Sequence, residues 1–205
     1  MTLRIRAFVD YWNFQLSLNE KDAKALGQPD SRFQIDWKGL GAWLAKKASE
    51  TIGAHTHTYE GVIIYTSFNP KTDGKFRNWA ENWLDRQPGI AVALRERRPK
   101  GPPKCPVCHE RIYDCPKCSQ KMQGTVEKGV DTLIATDMIR LAWEKAYDAA
   151  VIASSDADLV PAVEFLNQRG IKVIQAGFPP LGVDLATACW GSFDVFPVRD
   201  EIRRT

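Results

Sequence analysis

Ala149-Ala150-Val151-Ile152-Ala153-Ser154-Ser155-Asp156-Ala157-Asp158-Leu159-Val160-Pro161-Ala162-Val163-Glu164-Phe165-Leu166 reads as three units in succession. The first five residues form a short apolar run typical of a buried parallel strand. Ser154 to Asp158 make a tight turn, and the helical pattern begins at Leu159. In an open α/β sheet, ligands sit beyond the carboxyl ends of the strands. Two carboxylates two residues apart at such a place cost stability unless a cation or a partner neutralises them. One of them can equally serve as the helix N-cap, a position that favours Asp and Ser. A second acidic strand end elsewhere in the chain favours the ligand reading, and there is one.

Working outward, Leu3 to Val9 reads as a strand ending at Asp10, with Tyr11-Trp12-Asn13-Phe14 a turn or helix start. Residues 19–35 are polar, contain Gly27, Pro29 and Asp30, and read as a loop. Asp36 is placed to cap a helix from Trp37 to about Ser49, where Leu40, Trp43, Leu44 and Lys47 recur at helical spacing. Residues 61–68 read as a second buried strand. Phe76, Trp79, Ala80, Trp83 and Leu84 mark an amphipathic helix, and Ile90 to Leu94 a third strand. After the interruption described below, Asp131 to Trp143 is helical. Ile171 to Ala176 is a further strand, Val183 to Cys189 a short helix, and Asp194 to Phe196 a last short strand. Strands alternating with helices predict an α/β fold: a doubly wound, mostly parallel sheet covered on both faces. Right-handed crossovers then bring every strand's carboxyl end to one rim.

The chain has 205 residues, of which 44% are hydrophobic and 26% charged. That suits one sizeable domain, residues 1–205, with a small insert. No apolar run approaches the ~20 residues of a membrane span, and the first residues lack a signal peptide's apolar core. A cytoplasmic protein with no membrane partner is expected. The net charge is only +3, so nucleic-acid binding has to rest on local basic patches. Exposed aromatics such as Trp190 are candidates for a homodimer contact.

On the rim, Asp10 ends the first strand, Asp156 and Asp158 follow the fourth, and Asp131 opens a helix after Gly129. Four carboxylates from three segments converging there suit a hard divalent cation such as Mg²⁺ or Mn²⁺. Metal-bound water can attack a phosphodiester while the metal screens the developing charge. Asn13, three residues beyond Asp10, is placed to orient a phosphate or a water, or to serve as an ordinary cap. Asp137 reads as a supporting residue before a ligand, and Glu127 as a loop surface charge before a ligand.

From Arg95 the composition changes, and residues 99–124 read as an inserted basic arm and cysteine module. Arg95, Arg97, Arg98, Lys100 and Lys104 make a basic, proline-rich arm, followed by Cys105-Pro106-Val107-Cys108 and Cys115-Pro116-Lys117-Cys118. C-x2-C-x6-C-x2-C is the spacing of a four-thiolate structural Zn²⁺ site, which keeps no open position for catalysis. The loop between the pairs is short, so this is a ribbon-like module that needs its metal to fold. A redox dithiol is the rival reading, but the βα context of such motifs is missing. Cys189 stands apart in an apolar stretch and is expected to be buried. The arm is placed to grip phosphates beside the acidic rim, or to serve as a solvated loop or a protein-contact surface; if it grips, replacing Arg97 and Arg98 weakens nucleic-acid binding and flattens its salt dependence.

Three blocks, Phe8 to Phe14, Glu127 to Met138 and Ala153 to Pro161, together resemble the NYN domain of the LabA-like group, in the PIN-like superfamily of metal-dependent nucleases. The resemblance spans most of the chain except roughly residues 99–124. It implies Mg²⁺- or Mn²⁺-dependent cleavage of RNA, endonucleolytic in type. Asp10, Asp131, Asp156 and Asp158 match the acidic metal-binding positions, Asn13 the polar residue after the first Asp, and Asp137 the second helix Asp. Trp12 and Ser155 depart from the residues common in the family. The alternative is a non-catalytic RNA-binding or regulatory module on the same fold. An aspartyl phosphatase would want a second Asp at position 12, where Trp12 stands, and there is no Gly-rich phosphate loop.

Overall fold

A computed structural model describes residues 2–204. The main sheet has six strands: β1 (Leu3–Asp10), β2 (His57–Phe68), β3 (Ile90–Glu96), β6 (Ala149–Ala153), β7 (Lys172–Gly177) and β8 (Gly191–Asp194). Their spatial order is β3-β2-β1-β6-β7-β8, and every pairing is parallel. The helices are α1 (Tyr11–Leu26), α2 (Trp37–Ile52), α3 (Gly74–Asn82), α4 (Val130–Trp143), α5 (Val160–Gln168) and α6 (Val183–Ala188). Chain order runs outward one way from β1 and the other way from β6. The reversal between them is the topological switch point at which open α/β sheets bind ligands.

The period-2 alternation of the strands sorts the core into two layers. Ile5, Ala7 and Val9 of β1 and Val151 of β6 pack with Phe14, Leu40 and Leu44 of α1 and α2. Phe8 and Ile152 face the other way, onto Val130, Ile134 and Met138 of α4 and Val163 of α5. All these side chains are at most 1% exposed. Asp10 continues the parity of Phe8, so its side chain leaves β1 toward the α4 face. No helix is long and apolar enough to cross a membrane among the described residues.

Three boundaries differ from expectation. α1 runs on to Leu26 and ends at Gly27, so only the second part of the 19–35 segment is a loop. The helix looked polar because Lys21 and Lys24 sit among its anchors. It is held by Leu18 and Ala23, and by the buried Asp22, which accepts from Arg199 Nε at 3.0 Å and Ser31 Oγ at 2.7 Å. The last strand is Gly191–Asp194, not 194–196, and Phe196–Ile202 is a 3-10 segment beginning beside Pro197. The basic arm is partly strand: Arg95 and Glu96 complete β3, and β4 (Arg98–Lys100) pairs antiparallel with β5 (Gly124–Val126). The insert therefore stands on a two-stranded stalk rising from the rim end of β3.

Candidate metal centre

Parallel pairing sets Val9 opposite Ala153. Asp10 and the turn after β6 therefore leave strands roughly 4.8 Å apart. Asp10 is 5% exposed and caps α1 by accepting from the Asn13 N–H at 3.2 Å. The Asn13 side chain reaches across the switch point, where its Oδ1 accepts from the Ser155 N–H at 2.9 Å. Asn13 thus ties the β1 end to the β6 end. On the β6 side, the Asp156 N–H donates to Ser154 Oγ at 3.2 Å, and Asp156 Oδ1 accepts from the Asp158 N–H at 2.9 Å. Asp156 is therefore the cap of the short 3-10 turn that leads into α5, and the capping reading of this stretch holds alongside any other role.

The backbone around this turn is tightly held. Gln175 Nε2 donates to Ser154 O at 3.0 Å and to Gly182 O at 3.2 Å. Gly182 has φ +70°, and a Cβ there would lie 2.7 Å from Ser155 Cα. Only glycine allows that approach, so Gly182 buttresses the acidic turn. On the opposite side, Gly129 adopts φ 80° immediately before α4. That kink directs Asp131, in the first helical turn, at Asp156 and Asp158.

Asp131, Asp156 and Asp158 each offer a carboxylate oxygen within 4.8 Å of the others'. Among the described residues this is the one group of three or more His, Cys, Asp or Glu side chains so gathered. Asp10 does not join it but lies beside it. Burial, together with the charges of Glu127, Asp131 and Asp156, raises the Asp10 pKa to about 7, against the lowering effect of the Asn13 N–H. Asp131 is also raised, by burial first and then by Asp156, Glu127 and Asp158. An all-oxygen donor set at this spacing, carrying charge that the protein leaves uncompensated, fits Mg²⁺ or Mn²⁺.

Glu127 is a correction to the sequence reading. It is half-buried at the foot of the insert's stalk, immediately after β5, and the Ser67 hydroxyl donates to its Oε2. Its charge acts on both Asp10 and Asp131. Arg97 bonds the same Ser67 hydroxyl through Nε at 2.9 Å, approaches Glu127 at 3.8 Å, and lies over the Trp12 ring at 5.4 Å. Trp12 is fixed in turn by its indole N–H donating to Ser67 O at 2.8 Å. Its position two residues before Gly129, where the chain re-enters the rim, was the signal that could have found Glu127. Asp137 is a supporting residue: it accepts from Tyr65 Oη at 3.1 Å and pairs with Arg140 at 3.1 Å.

The basic residues divide. Arg95, Arg97, Arg98 and Lys128 line a notch of 480 Å³ that opens beside Gly129 and contains a single carboxylate residue, Glu96. Within it Arg97 is engaged as described, while Arg95, Arg98 and Lys128 are exposed. Lys100 lines a neighbouring cavity with Arg97. Lys104 lies further out, bridged to Arg111 inside the cysteine module.

That module is two copies of one turn. The Cys105 N–H donates to Glu110 O, and the Cys115 N–H to Gln120 O, each at 2.8 Å. His109 and Ser119, four residues after the leading cysteines, take the left-handed conformation at φ 61° and 57°, which is unusual for non-glycine residues. Backbone N–H groups of Cys108 and Val107 lower the Cys105 thiol pKa, and those of Lys117 and Cys118 lower that of Cys115. Cysteine sulfurs presented in paired turns are the donor chemistry that Zn²⁺ takes. The two thiol pairs are not drawn together as closely as the three aspartates. Cys189 is 9% exposed, and burial pushes its thiol up to about 12.

This geometry agrees with what the chain resembles. Residues 4–190 match the NYN domain family, and the chain belongs to it. That family is a branch of the PIN-like nucleases. A 54-residue stretch is 39% identical to a protein of Sinorhizobium fredii described as "Uncharacterized protein y4oD", covering 26% of this chain and 25% of that protein. The solved structure of VPA0982 from Vibrio parahaemolyticus, described as a protein of unknown function, covers 94% of each chain at 19% identity with a TM-score of 0.53. At that identity the likeness speaks for the fold.

Proposed function

We propose that this chain is a LabA-like, metal-dependent ribonuclease that cleaves RNA endonucleolytically with Mg²⁺ or Mn²⁺. The observation that carries this reading is the gathering of Asp131, Asp156 and Asp158 at the switch point beside the buried Asp10. A divalent cation bound there would supply a water of lowered pKa and screen charge on the phosphate. Asp131, Asp156 and Asp158 would hold that cation. Asn13 keeps the two strand ends in register for it through the Ser155 N–H. Asp10, with a pKa near 7, can hold or release a proton at its carboxylate close to neutral pH.

Around this centre, Arg95, Arg98 and Lys128 would grip the RNA backbone and offset its repulsion from the aspartates. Cys105, Cys108, Cys115 and Cys118 would bind one structural Zn²⁺, which sets the stalk carrying Arg98 and Glu127 against the rim. Arg97, already bonded to Ser67, acts as a positioning residue more than as a grip. The test is a salt titration of RNA affinity. Arg98→Ala should reduce the slope of log affinity against log salt by about 0.7 on a single-stranded RNA. An unchanged slope rejects the gripping role. The nuclease reading itself is tested by cleavage with purified protein and Mn²⁺, as set out in the Discussion.

A further inference from the structure

The first turns of α1, α2 and α3 open onto the same rim as the aspartates, on the opposite face of the sheet from α4. Tyr11 and Trp37 are the first residues of α1 and α2, and their rings stack at 4.5 Å. α3 and the residue after it bring Phe76, Trp79 and Trp83, spaced three and then four residues apart on one stripe. The core takes up only part of that stripe: Phe76 and Trp79 pack against it with one side and stay half-buried. The one fully buried residue of α3 is Ala80, with Leu84 buried in the turn that follows. Trp79 stays half-buried and Trp83 is 43% exposed.

The rings form an unbroken series leading away from the candidate metal centre. The Arg97 guanidinium lies over Trp12, the second residue after Asp10. Trp12 contacts Phe76 at 5.2 Å, Phe76 contacts Trp79 at 5.7 Å, and Trp79 stacks on Trp83 at 6.0 Å with 21° between planes. Two clefts lie along this series, of 430 and 260 Å³, and share Ile35, Trp37, Trp79 and Arg204. Arg32, Lys75 and Arg204 line the wider cleft, and no carboxylate does. Lys38 lines the narrower one together with Asp36. Half-buried aromatic faces leading to an exposed one, Trp83, and bordered by cations are the chemistry that holds unpaired nucleobases and their phosphates. In a duplex the base faces are occupied by their neighbours, so such a surface discriminates against paired strands.

We infer that the two adjoining clefts walled by Phe76, Trp79 and Trp83 form a base-stacking subsite. It takes the single-stranded segment of an RNA that flanks the phosphodiester held at the aspartates. The inference rests on the ribonuclease reading for its choice of RNA, but it is measured by binding. The experiment compares the affinity of a labelled 12-nucleotide oligoadenylate, an abasic strand of the same length and a blunt duplex. The proteins are the parent, Trp83→Ala and Lys75→Glu. Trp83→Ala should weaken oligoadenylate binding about tenfold and leave the abasic strand and the duplex within twofold. Lys75→Glu should weaken both single strands. Trp83 is exposed, so its variant should keep the parent's melting temperature.

Parent-like oligoadenylate binding by Trp83→Ala overturns the inference. So does an equal loss for the abasic strand, or no measurable binding of oligoadenylate by the parent. A parent that binds through Trp83 but cleaves nothing with Mn²⁺ leaves the subsite standing and removes the nuclease reading. A parent that cleaves but is indifferent to Trp83 does the reverse.

Discussion

Asp156→Asn is expected to lower Mn²⁺-dependent RNA cleavage by about 100-fold or more, with the fold and the parent's metal content at the cysteine module unchanged. Asparagine keeps an oxygen that can accept from the Asp158 N–H, so the 3-10 turn and its cap survive. What goes is one negative charge from a group whose other members, Asp131 and Asp158, lie within 4.8 Å. Hard cations are held by charge and oxygen number together, so the loss falls on metal affinity and on every step that needs the metal. The check is single-turnover cleavage across a Mn²⁺ titration, beside circular dichroism and metal analysis of the same sample. Parent-like cleavage would mean that chemistry does not occur at this cluster.

The second large effect concerns the metal-free protein. Asp10 has a folded pKa of about 7, raised chiefly by burial, against about 3.9 in an unfolded chain. Between those values the folded state binds the extra proton, so stability is lost as pH rises through the window. Asp131 is shifted in the same direction. Asp22, Asp73, Asp148 and Glu201 are lowered by their partners and act at the acid end instead. In EDTA, the parent should therefore melt at a lower temperature near pH 8 than near pH 5. Asp10→Asn removes the buried charge and should flatten that slope. It should raise the melting temperature near pH 8 by roughly 5 °C or more, corresponding to a few kcal/mol, while abolishing cleavage. A melting temperature that rises with pH in the metal-free parent would contradict the raised Asp10 pKa.

How much of this was legible in the sequence depends on the kind of signal. The strands were readable because burial on both faces turns them into continuous apolar runs, as in Ala149 to Ala153. The aspartates were readable because Asp10 closes a strand, Asp131 opens a helix, and Asp156 and Asp158 stand in the turn between β6 and α5. α1 was cut short because its second half is held by a charge, Asp22, whose partner Arg199 lies 177 residues away. No local pattern encodes that pair. Glu127 looked like a surface charge for a similar reason. Its burial depends on Ser67 and Arg97, from the ends of β2 and β3. The aromatic stripe of α3 was visible as an amphipathic pattern. Only the fold shows that the core buries Ala80 and leaves Trp83 in the open.

The position of a bound cation tests the central claim most directly. A crystal soaked in Mn²⁺ and measured at the manganese edge should show one anomalous peak at the switch point. It should lie about 2.1 Å from carboxylate oxygens of at least two of Asp131, Asp156 and Asp158, with Asp10 in contact with its waters. A peak elsewhere, or none at millimolar Mn²⁺, would contradict a cation-binding role for these aspartates.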